Sequence, residues 1–109
     1  MGINNSQNCV AGTEIKGTAT AMGVLLGTLP VNPAILIFDN QGTASIAIYV
    51  NGTSAANLWR TFPSGEALIL DLRAAQGVAP NFTFPIGTAF YAVGASGTFS
   101  ISYVYAQNM

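Results

Sequence analysis

Charge and histidine are what this sequence has least of. Its 109 residues include no histidine, one cysteine and seven charged side chains. An average domain of this length carries about 27 charged residues, roughly a quarter of the chain. The few that are present are Lys16, Arg60, Arg73, Glu14, Asp39, Glu66 and Asp71. Because so few basic groups could neutralise phosphates, we expect no nucleic-acid partner, and histidine-based acid–base catalysis is excluded.

Paired cysteines and long apolar runs are also missing. Cys9 has no partner within the chain, which excludes a disulfide-stapled scaffold. The most apolar stretch, residues 19–38, is interrupted by Pro30, Pro33 and several polar residues, so we expect no membrane-spanning helix. Residues 1–8 are polar and uncharged and lack the pattern of a secretory signal. We therefore expect synthesis in a cytoplasm and no membrane partner.

The carboxylates are not spaced for catalysis or for metal binding. Glu66 and Asp71 lie five positions apart on one predicted strand, so their side chains should point to opposite faces. Residues 39–42 resemble only the start of a calcium loop, because the later acidic ligands are missing. Ser64 has no histidine to activate it. We expect no enzymatic activity, no cofactor and no metal.

What the sequence does contain is strand-like alternation interrupted by turn residues. Half of the residues are hydrophobic, and twelve glycines and five prolines recur at short intervals. Alternation with a period of two predicts half-buried strands. The predicted strands cover residues 34–39, 44–51, 58–62, 66–73, 88–94 and 97–106. This spacing favours a sandwich or barrel, and we predict an all-β antiparallel sandwich of jelly-roll type.

The last two predicted strands show the alternation most clearly. In the final strand one face carries Phe99, Ile101, Tyr103 and Tyr105, and the other carries Thr98, Ser100 and Ser102. Such a strand is expected to bury its apolar face and to leave a hydroxyl-rich outer side. Only a short Ala95-Ser96 connection separates it from the strand before it, which predicts a β-hairpin.

The first residues differ from the rest of the chain. Residues 1–12 are rich in asparagine, glutamine and glycine and have little to bury. We divide the chain into an extended or flexible N-terminal arm, residues 1–12, and a single sandwich domain, residues 13–109. The arm is either a frayed terminus or a segment that becomes ordered by pairing with an exposed strand of a neighbouring subunit.

The scarcity of charge predicts association. A folded monomer of this mass exposes roughly 5,700 Å², or about one charge per 800 Å² of surface. A nearly neutral surface gives little colloidal stability, and obligate interfaces are apolar and poor in charge. We therefore expect a subunit that functions inside an assembly, with other copies of itself as partners.

Aromatic and basic residues are the candidates for that interface. Tryptophan and arginine anchor interfaces most often, and an arginine stacked on a ring is tolerated in a charge-poor contact. Our candidates are Trp59, Arg60, Phe62, Arg73, Tyr103 and Tyr105. Trp59-Arg60 also fits an ordinary strand with the tryptophan in the core and the arginine in solvent. The tyrosines at positions 49, 91, 103 and 105 also suggest a platform that stacks against sugars.

Three segments follow one another in a familiar order. ILIFDNQGTASIAIYVNGTSA precedes FPSGEALILDLR, and FPIGTAFYAVGASGTFSISYVY comes last. This order resembles small virion proteins of tailed bacteriophages, the capsid decoration or cement proteins. In them an aliphatic strand ending in Asn-x-Gly leads into an Ile/Val-rich strand, and a Pro-Ser-Gly-Glu turn and a final Ala-Ser-Gly hairpin complete a β-sandwich. The resemblance covers residues 34–106.

The resemblance implies a function and a partner. Decoration proteins bind the outside of a shell, commonly as trimers and less often as dimers, and clamp neighbouring subunits of the major capsid protein. We therefore expect a homo-oligomer, a trimer in preference to a dimer, on the capsid exterior of a virion. The alternative is a glycan- or receptor-binding sandwich of a phage tail or fibre. A pilus-type subunit completed by a neighbour's strand is a further alternative.

Overall fold

The computed structural model of the chain describes residues 9–72 and 84–106. Within these ranges no helix has the length and hydrophobicity needed to span a lipid bilayer. One turn of 3-10 helix, Ala55–Asn57, lies at the end of the link, residues 51–57, between two strands. The strands are β1 (Cys9–Ala11), β2 (Ile15–Thr18), β3 (Val24–Thr28), β4 (Ile35–Asn40), β5 (Ile46–Val50), β6 (Leu58–Phe62), β7 (Ala67–Asp71), β8 (Ala89–Gly94) and β9 (Thr98–Ala106).

Four strand pairings define the architecture. β2 pairs with β9, β3 with β8, β4 with β7 and β5 with β6, each of them antiparallel. The chain from β2 to β5 thus runs alongside the chain from β6 to β9 as one long ribbon, with the β5–β6 hairpin at its tip. The ribbon curls so that β4 also pairs with β9 and β5 with β8. These pairings make an eight-stranded jelly roll, and the prediction of an all-β antiparallel sandwich is confirmed.

The two sheets are formed by different sets of strands. Sheet A contains β9, β4 and β7, with β1 and β2 both paired to the free side of β9. Sheet B has the order β3-β8-β5-β6. β1 continues along β9 where β2 stops, because Ala11 pairs with Val104 and Ile15 with Ile101. The end of the predicted arm, β1, therefore pairs within its own chain. Residues 1–8 lie outside the described residues, and a contact between the arm and a neighbouring subunit stays a prediction.

The hairpin predicted around Ala95-Ser96 is wrong. β8 pairs with β3 and β5 in sheet B, whereas β9 belongs to sheet A, so the connection crosses between the sheets. The crossing is tight: a Cβ added to Gly94 would lie 2.8 Å from the carbonyl oxygen of Ser45. Similarly, a Cβ on Gly42 would lie 3.1 Å from the Cα of Gly97. Glycine lets the backbones approach this closely because it has no Cβ.

The predicted apolar face of β9 is confirmed, because Phe99, Ile101 and Tyr103 are buried, although Ser100 on the opposite face is buried as well. The inward and outward sides of the other strands also alternate. In β4 every second residue is buried, and in β7 the side chains of Leu68 and Leu70 turn inward while Ile69 is exposed. The inward side chains of both sheets meet in one core that is rich in phenylalanine. Phe38 is fully buried there, with its ring centroid 4.8 Å from that of Trp59 and 5.7 Å from that of Phe90. Burial of such a side chain contributes about 1.5–3 kcal/mol.

A buried asparagine joins the two sheets at one end of the sandwich. Asn40, at the end of β4, is fully buried. Its Nδ2 donates to the carbonyl oxygens of Ala44 at 3.0 Å, Phe62 at 2.9 Å and Pro63 at 3.1 Å, and its Oδ1 accepts the Gly42 N–H at 2.8 Å. The β4–β5 and β6–β7 links both cross between the sheets at this point. One side chain thus satisfies the backbone of both crossings.

Replacing this amide donor should destabilise the fold. In Asn40→Asp a carboxylate would face three carbonyl oxygens, and we expect the free energy of unfolding at neutral pH to fall by about 3 kcal/mol. Urea unfolding measures the change. Asn32→Asp is the matched control, because the exposed Asn32 uses only its Oδ1, which accepts the Ile86 N–H at 2.7 Å and remains in aspartate. Equal losses in the two variants would contradict this role of Asn40.

Candidate functional site

Two of the predicted interface residues belong to the aromatic core. Phe62 is fully buried, and its ring centroid lies 5.1 Å from that of Phe99. Trp59 is half-buried and packs against Phe38 and against Phe84, whose ring centroid is 5.1 Å away. In the single chain these residues hold the sheets together, so most of their surface is already covered.

A β-bulge turns Trp59 inward. In the β5–β6 register Ile48 pairs with Arg60 and Tyr49 with Leu58, so the register shifts by one residue at Trp59. An extra residue in one strand reorients its side chain relative to the regular alternation. As a result Trp59 contacts the core although its neighbour Arg60 shares the inward face of the fully buried Ile48.

Arg60 connects the two sheets at one edge of the sandwich. Its Nη2 lies 3.1 Å from Oε2 of Glu66, which precedes β7 of sheet A, and its Cζ lies 5.0 Å from the centroid of the Phe62 ring. The two charged side chains are 39% and 33% exposed, so the ion pair contributes at most about 1 kcal/mol. The charge of Arg60 is therefore paired within the chain. The sequence offered two interpretations, an interface anchor or a side chain in solvent, and neither includes this ion pair.

The two predicted interface tyrosines lie on the inner side of sheet A. Tyr103 is only 4% exposed, and Tyr105 is half-buried with its ring centroid 6.5 Å from that of Tyr103. Arg73 lies outside the described residues. The structure thus gathers Trp59, Arg60 and Phe62 at one edge of the sandwich, and it places the two tyrosines in the other sheet.

The face that sequence reasoning missed is the outer side of sheet B. Leu25 of β3 pairs with Tyr91 of β8, Tyr91 pairs with Tyr49 of β5, and Tyr49 pairs with Leu58 of β6. Directly paired residues point to the same side of a sheet. Because the adjacent pair Ile48 and Ala92 is buried, this row faces outward. The row crosses all four strands of the sheet.

Among the residues that the structure describes, this outer face combines exposed apolar side chains with an absence of charged ones. Leu25 is 50% exposed and Leu58 is 44% exposed, and both tyrosines are partly exposed. A second row beside it consists of Val93, Ala47 and Thr61. We call these seven residues the docking face.

The charged residues that the structure describes all lie elsewhere. Three of them are on the outer side of sheet A: Lys16, Asp39 and Asp71. Lys16 and Asp39 both pair with Ser100, and Asp71 pairs with Ile35. Glu14 lies between β1 and β2, and Arg60 and Glu66 bridge the sheets. Over residues 9–72 and 84–106, the sandwich therefore has one charged outer side and one neutral one.

The docking face consists of aliphatic, tyrosine and threonine side chains. Within residues 9–72 and 84–106 no cluster of three or more His, Cys, Asp or Glu side chains is placed to hold a metal ion. The tyrosine platform predicted from sequence is divided: Tyr49 and Tyr91 are neighbours on the docking face, whereas Tyr103 and Tyr105 are on the inner side of sheet A. What the arrangement provides is an apolar plane on which another surface can pack.

Comparisons with known proteins describe likeness of shape only. Neither a protein-family model nor a curated protein matches the chain. A solved structure described as "Crystal structure of PirA" is similar at 17% identity and a TM-score of 0.46, covering 83% of this chain and 92% of that one. One described as "Bacillus endospore appendages form a novel family of disulfide-linked pili" is similar at 16% identity and a TM-score of 0.47, covering 99% and 97%. At these values neither likeness extends to function.

The tight packing of the Tyr103 ring against the backbone at Gly12 can be tested by adding a methyl group to Gly12. A Cβ added to Gly12, whose N–H donates to the Tyr103 carbonyl oxygen at 3.0 Å, would overlap the Tyr103 ring. We expect Gly12→Ala to reduce the free energy of unfolding by about 2 kcal/mol through overpacking.

A double-mutant cycle separates this clash from other effects of the alanine. In a Tyr103→Val background the ring is absent, so Gly12→Ala should cost far less there, and the coupling should exceed about 1 kcal/mol in urea unfolding. Additive losses would show that Tyr103 does not occupy the space beside Gly12.

Proposed function

We propose that the protein is a structural subunit that binds the outside of a bacteriophage shell and clamps neighbouring capsid subunits. The observation that carries the proposal is the docking face, an uncharged apolar plane crossing four strands. Such a plane resembles the core of a stable interface, where charged residues are depleted. The sequence resemblance of residues 34–106 to decoration proteins supplies the shell as the partner.

The dimensions of the docking face determine how it would bind. Four strands about 4.8 Å apart and five residues long cover a footprint of roughly 300 Å². A typical stable interface covers about 800 Å² on each partner, so one docking face would give a weak contact. Attachment of several linked copies to a repeating surface multiplies such weak contacts. Because each copy would bind the assembled shell and not free subunits, binding would stabilise the assembled state.

A pair of Thr→Asp variants tests this use of the docking face. Thr61 is exposed on the docking face, and Thr18 is exposed on an edge strand of the opposite, charged side. A carboxylate at Thr61 would be buried without a partner in the contact, so we expect Thr61→Asp to weaken binding to assembled shells at least tenfold, or about 1.4 kcal/mol. Thr18→Asp should remain within twofold of wild type. Cosedimentation with shells of the major capsid protein gives the affinities.

The same measurement at two salt concentrations tests the mechanism. Binding through uncharged surface should change little between low and near-molar salt, because there are few charges to screen. Steep loss of binding in high salt, or equal weakening by Thr61→Asp and Thr18→Asp, would contradict the proposal. Thermal unfolding of both variants checks that the sandwich is intact.

A glycan-binding module is the second candidate, favoured by one observation. Tyr49 and Tyr91 are paired on adjacent strands of the exposed face, as a sugar-stacking platform requires. Sugar sites also need polar groups to bind the hydroxyls, and the remaining residues of the docking face offer only the hydroxyl of Thr61. A glycan array would show hits that Tyr91→Ala abolishes if this candidate is correct, and an array without hits removes it.

A further inference from the structure

Met22 is the most exposed large apolar side chain that the structure describes. It is 91% exposed, compared with 65% for Ile69 and 56% for Ile86. Leu25 and Leu58 come next in exposure, and both belong to the docking face. Met22 precedes Leu25 by three positions in the sequence. The fold of the single chain therefore leaves almost the whole Met22 side chain available for contact with another surface.

The turn that carries Met22 is fixed by the backbone around it. The turn links β2 to β3, and within it Gly23 donates its N–H to the Thr20 carbonyl at 3.1 Å. The same carbonyl oxygen accepts the Gly94 N–H at 2.9 Å, and Thr20 forms a β-bridge with Val93. Gly23 has a φ of 95°, which glycine adopts readily because it has no Cβ. A turn that is already fixed loses less conformational entropy when its side chain binds a partner.

This turn adjoins the docking face. A Cβ added to Gly23 would lie 3.1 Å from Cγ2 of Val93, a residue of the docking face. Leu25, two positions further along the chain, begins the first row of that face. Val24 between them packs against the core. Positions 23 and 25 thus lie along the outer side of sheet B, and Met22 lies beside that side where β3 begins.

The chain links at this end of the sandwich are described in full. They are residues 19–23, 41–45, 63–66 and 95–97. The one charged residue in these links is Glu66, which is paired with Arg60. The stretches outside the described residues are attached at the opposite end, where Cys9 pairs with Ala106, β7 ends and β8 begins. The links around Met22 therefore present no unpaired charge.

We propose that Met22 anchors the contact between the docking face and the shell, and that oxidation of its sulfur weakens this contact. The inference rests on the proposed function and adds to it a residue outside the docking face. Methionine is enriched in interfaces, and its flexible, polarizable side chain fills irregular apolar gaps. The matching feature of the shell is an uncharged apolar depression beside the surface that receives Leu25.

Oxidation would change the chemistry of this anchor. Hydrogen peroxide transfers one oxygen atom to Sδ of methionine, so the sulfur is oxidised to a sulfoxide and the peroxide is reduced to water. A sulfoxide is polar, and burial of a polar group without a hydrogen-bond partner is unfavourable. Because Met22 is 91% exposed in the single chain, its sulfur is accessible to peroxide before attachment. Attachment to the shell would cover it.

Substitutions at Met22 test the anchor in cosedimentation with assembled shells. Met22→Leu keeps an apolar side chain and should bind within about twofold of wild type. Met22→Gln is of similar length but polar, and we expect it to bind at least about fivefold more weakly. Ile86→Gln is the matched control, because Ile86 is also exposed but precedes β8 at the opposite end of the sandwich. Equal weakening by Met22→Gln and Ile86→Gln would overturn the proposal.

Peroxide treatment tests the effect of oxidation. Oxidised wild type should bind shells at least about fivefold more weakly, and methionine sulfoxide reductases should restore binding. Oxidised Met22→Leu retains Met1, Met109 and Cys9, and its binding should not change. Peptide mass spectrometry locates the added oxygen, which should enter Met22 more slowly when the protein is bound to shells. Unchanged binding after oxidation at Met22, or equal losses in wild type and Met22→Leu, would overturn the proposal.

Failure of this inference and failure of the proposed function give different results. If untreated wild type does not bind shells, the proposed function is wrong and the inference is wrong with it. If Thr61→Asp weakens binding and Met22→Gln does not, the docking face is supported and the anchor alone is overturned. Sedimentation velocity adds a further outcome, because dissociation of an oligomer by Met22→Gln would place Met22 between copies of this chain and would also overturn the proposal.

Discussion

The sandwich depends on satisfying the backbone where the chain crosses between its two sheets. A crossing strand leaves the ladder of one sheet before it joins the next, so its carbonyl groups need other donors. Asn40 supplies them for two crossings at once, because its amide reaches Ala44, Phe62 and Pro63. The backbone adds to this, since Gly65 donates to the Asn40 carbonyl at 3.1 Å. These contacts hold the end of β4 against the link between β6 and β7.

The sequence predicts the strands well where each one buries a single face. Alternation in β5, β7 and β9 identifies which side chains turn inward, whereas β4 reads only as a continuous apolar run. It does not reveal which sheet a strand joins, because a hairpin and a crossing bury the same residues. That is why the Ala95-Ser96 link was misassigned. β2 and β3 were not predicted, since Gly17 and Gly27 interrupt short strands that have little alternation.

The candidate site could be predicted only in part. Scarcity of charge indicates a neutral surface somewhere, but the row from Leu25 to Leu58 depends on three strand registers that no local pattern encodes. Leu25 lies in a segment with no clear strand pattern, and a bulge at Trp59 shifts Leu58 relative to the alternation of β6. Tyr49 and Tyr91 were recognised as candidates for a platform, and only the sheet order separates them from Tyr103 and Tyr105. The pattern within one strand therefore does not predict a surface that depends on how several strands pair.

The position of β9 affects how the protein is made. β9 lies between β4 and the strands β1 and β2, so sheet A lacks its central member until residue 106 has left the ribosome. Until then the aliphatic β4 is exposed on the nascent chain without one of its two neighbours. Folding of this sheet must therefore wait until β9 has been synthesised, and pairing between strands so far apart in sequence is slow. A nascent chain of this kind benefits from chaperones that shield its apolar strands while β9 is synthesised.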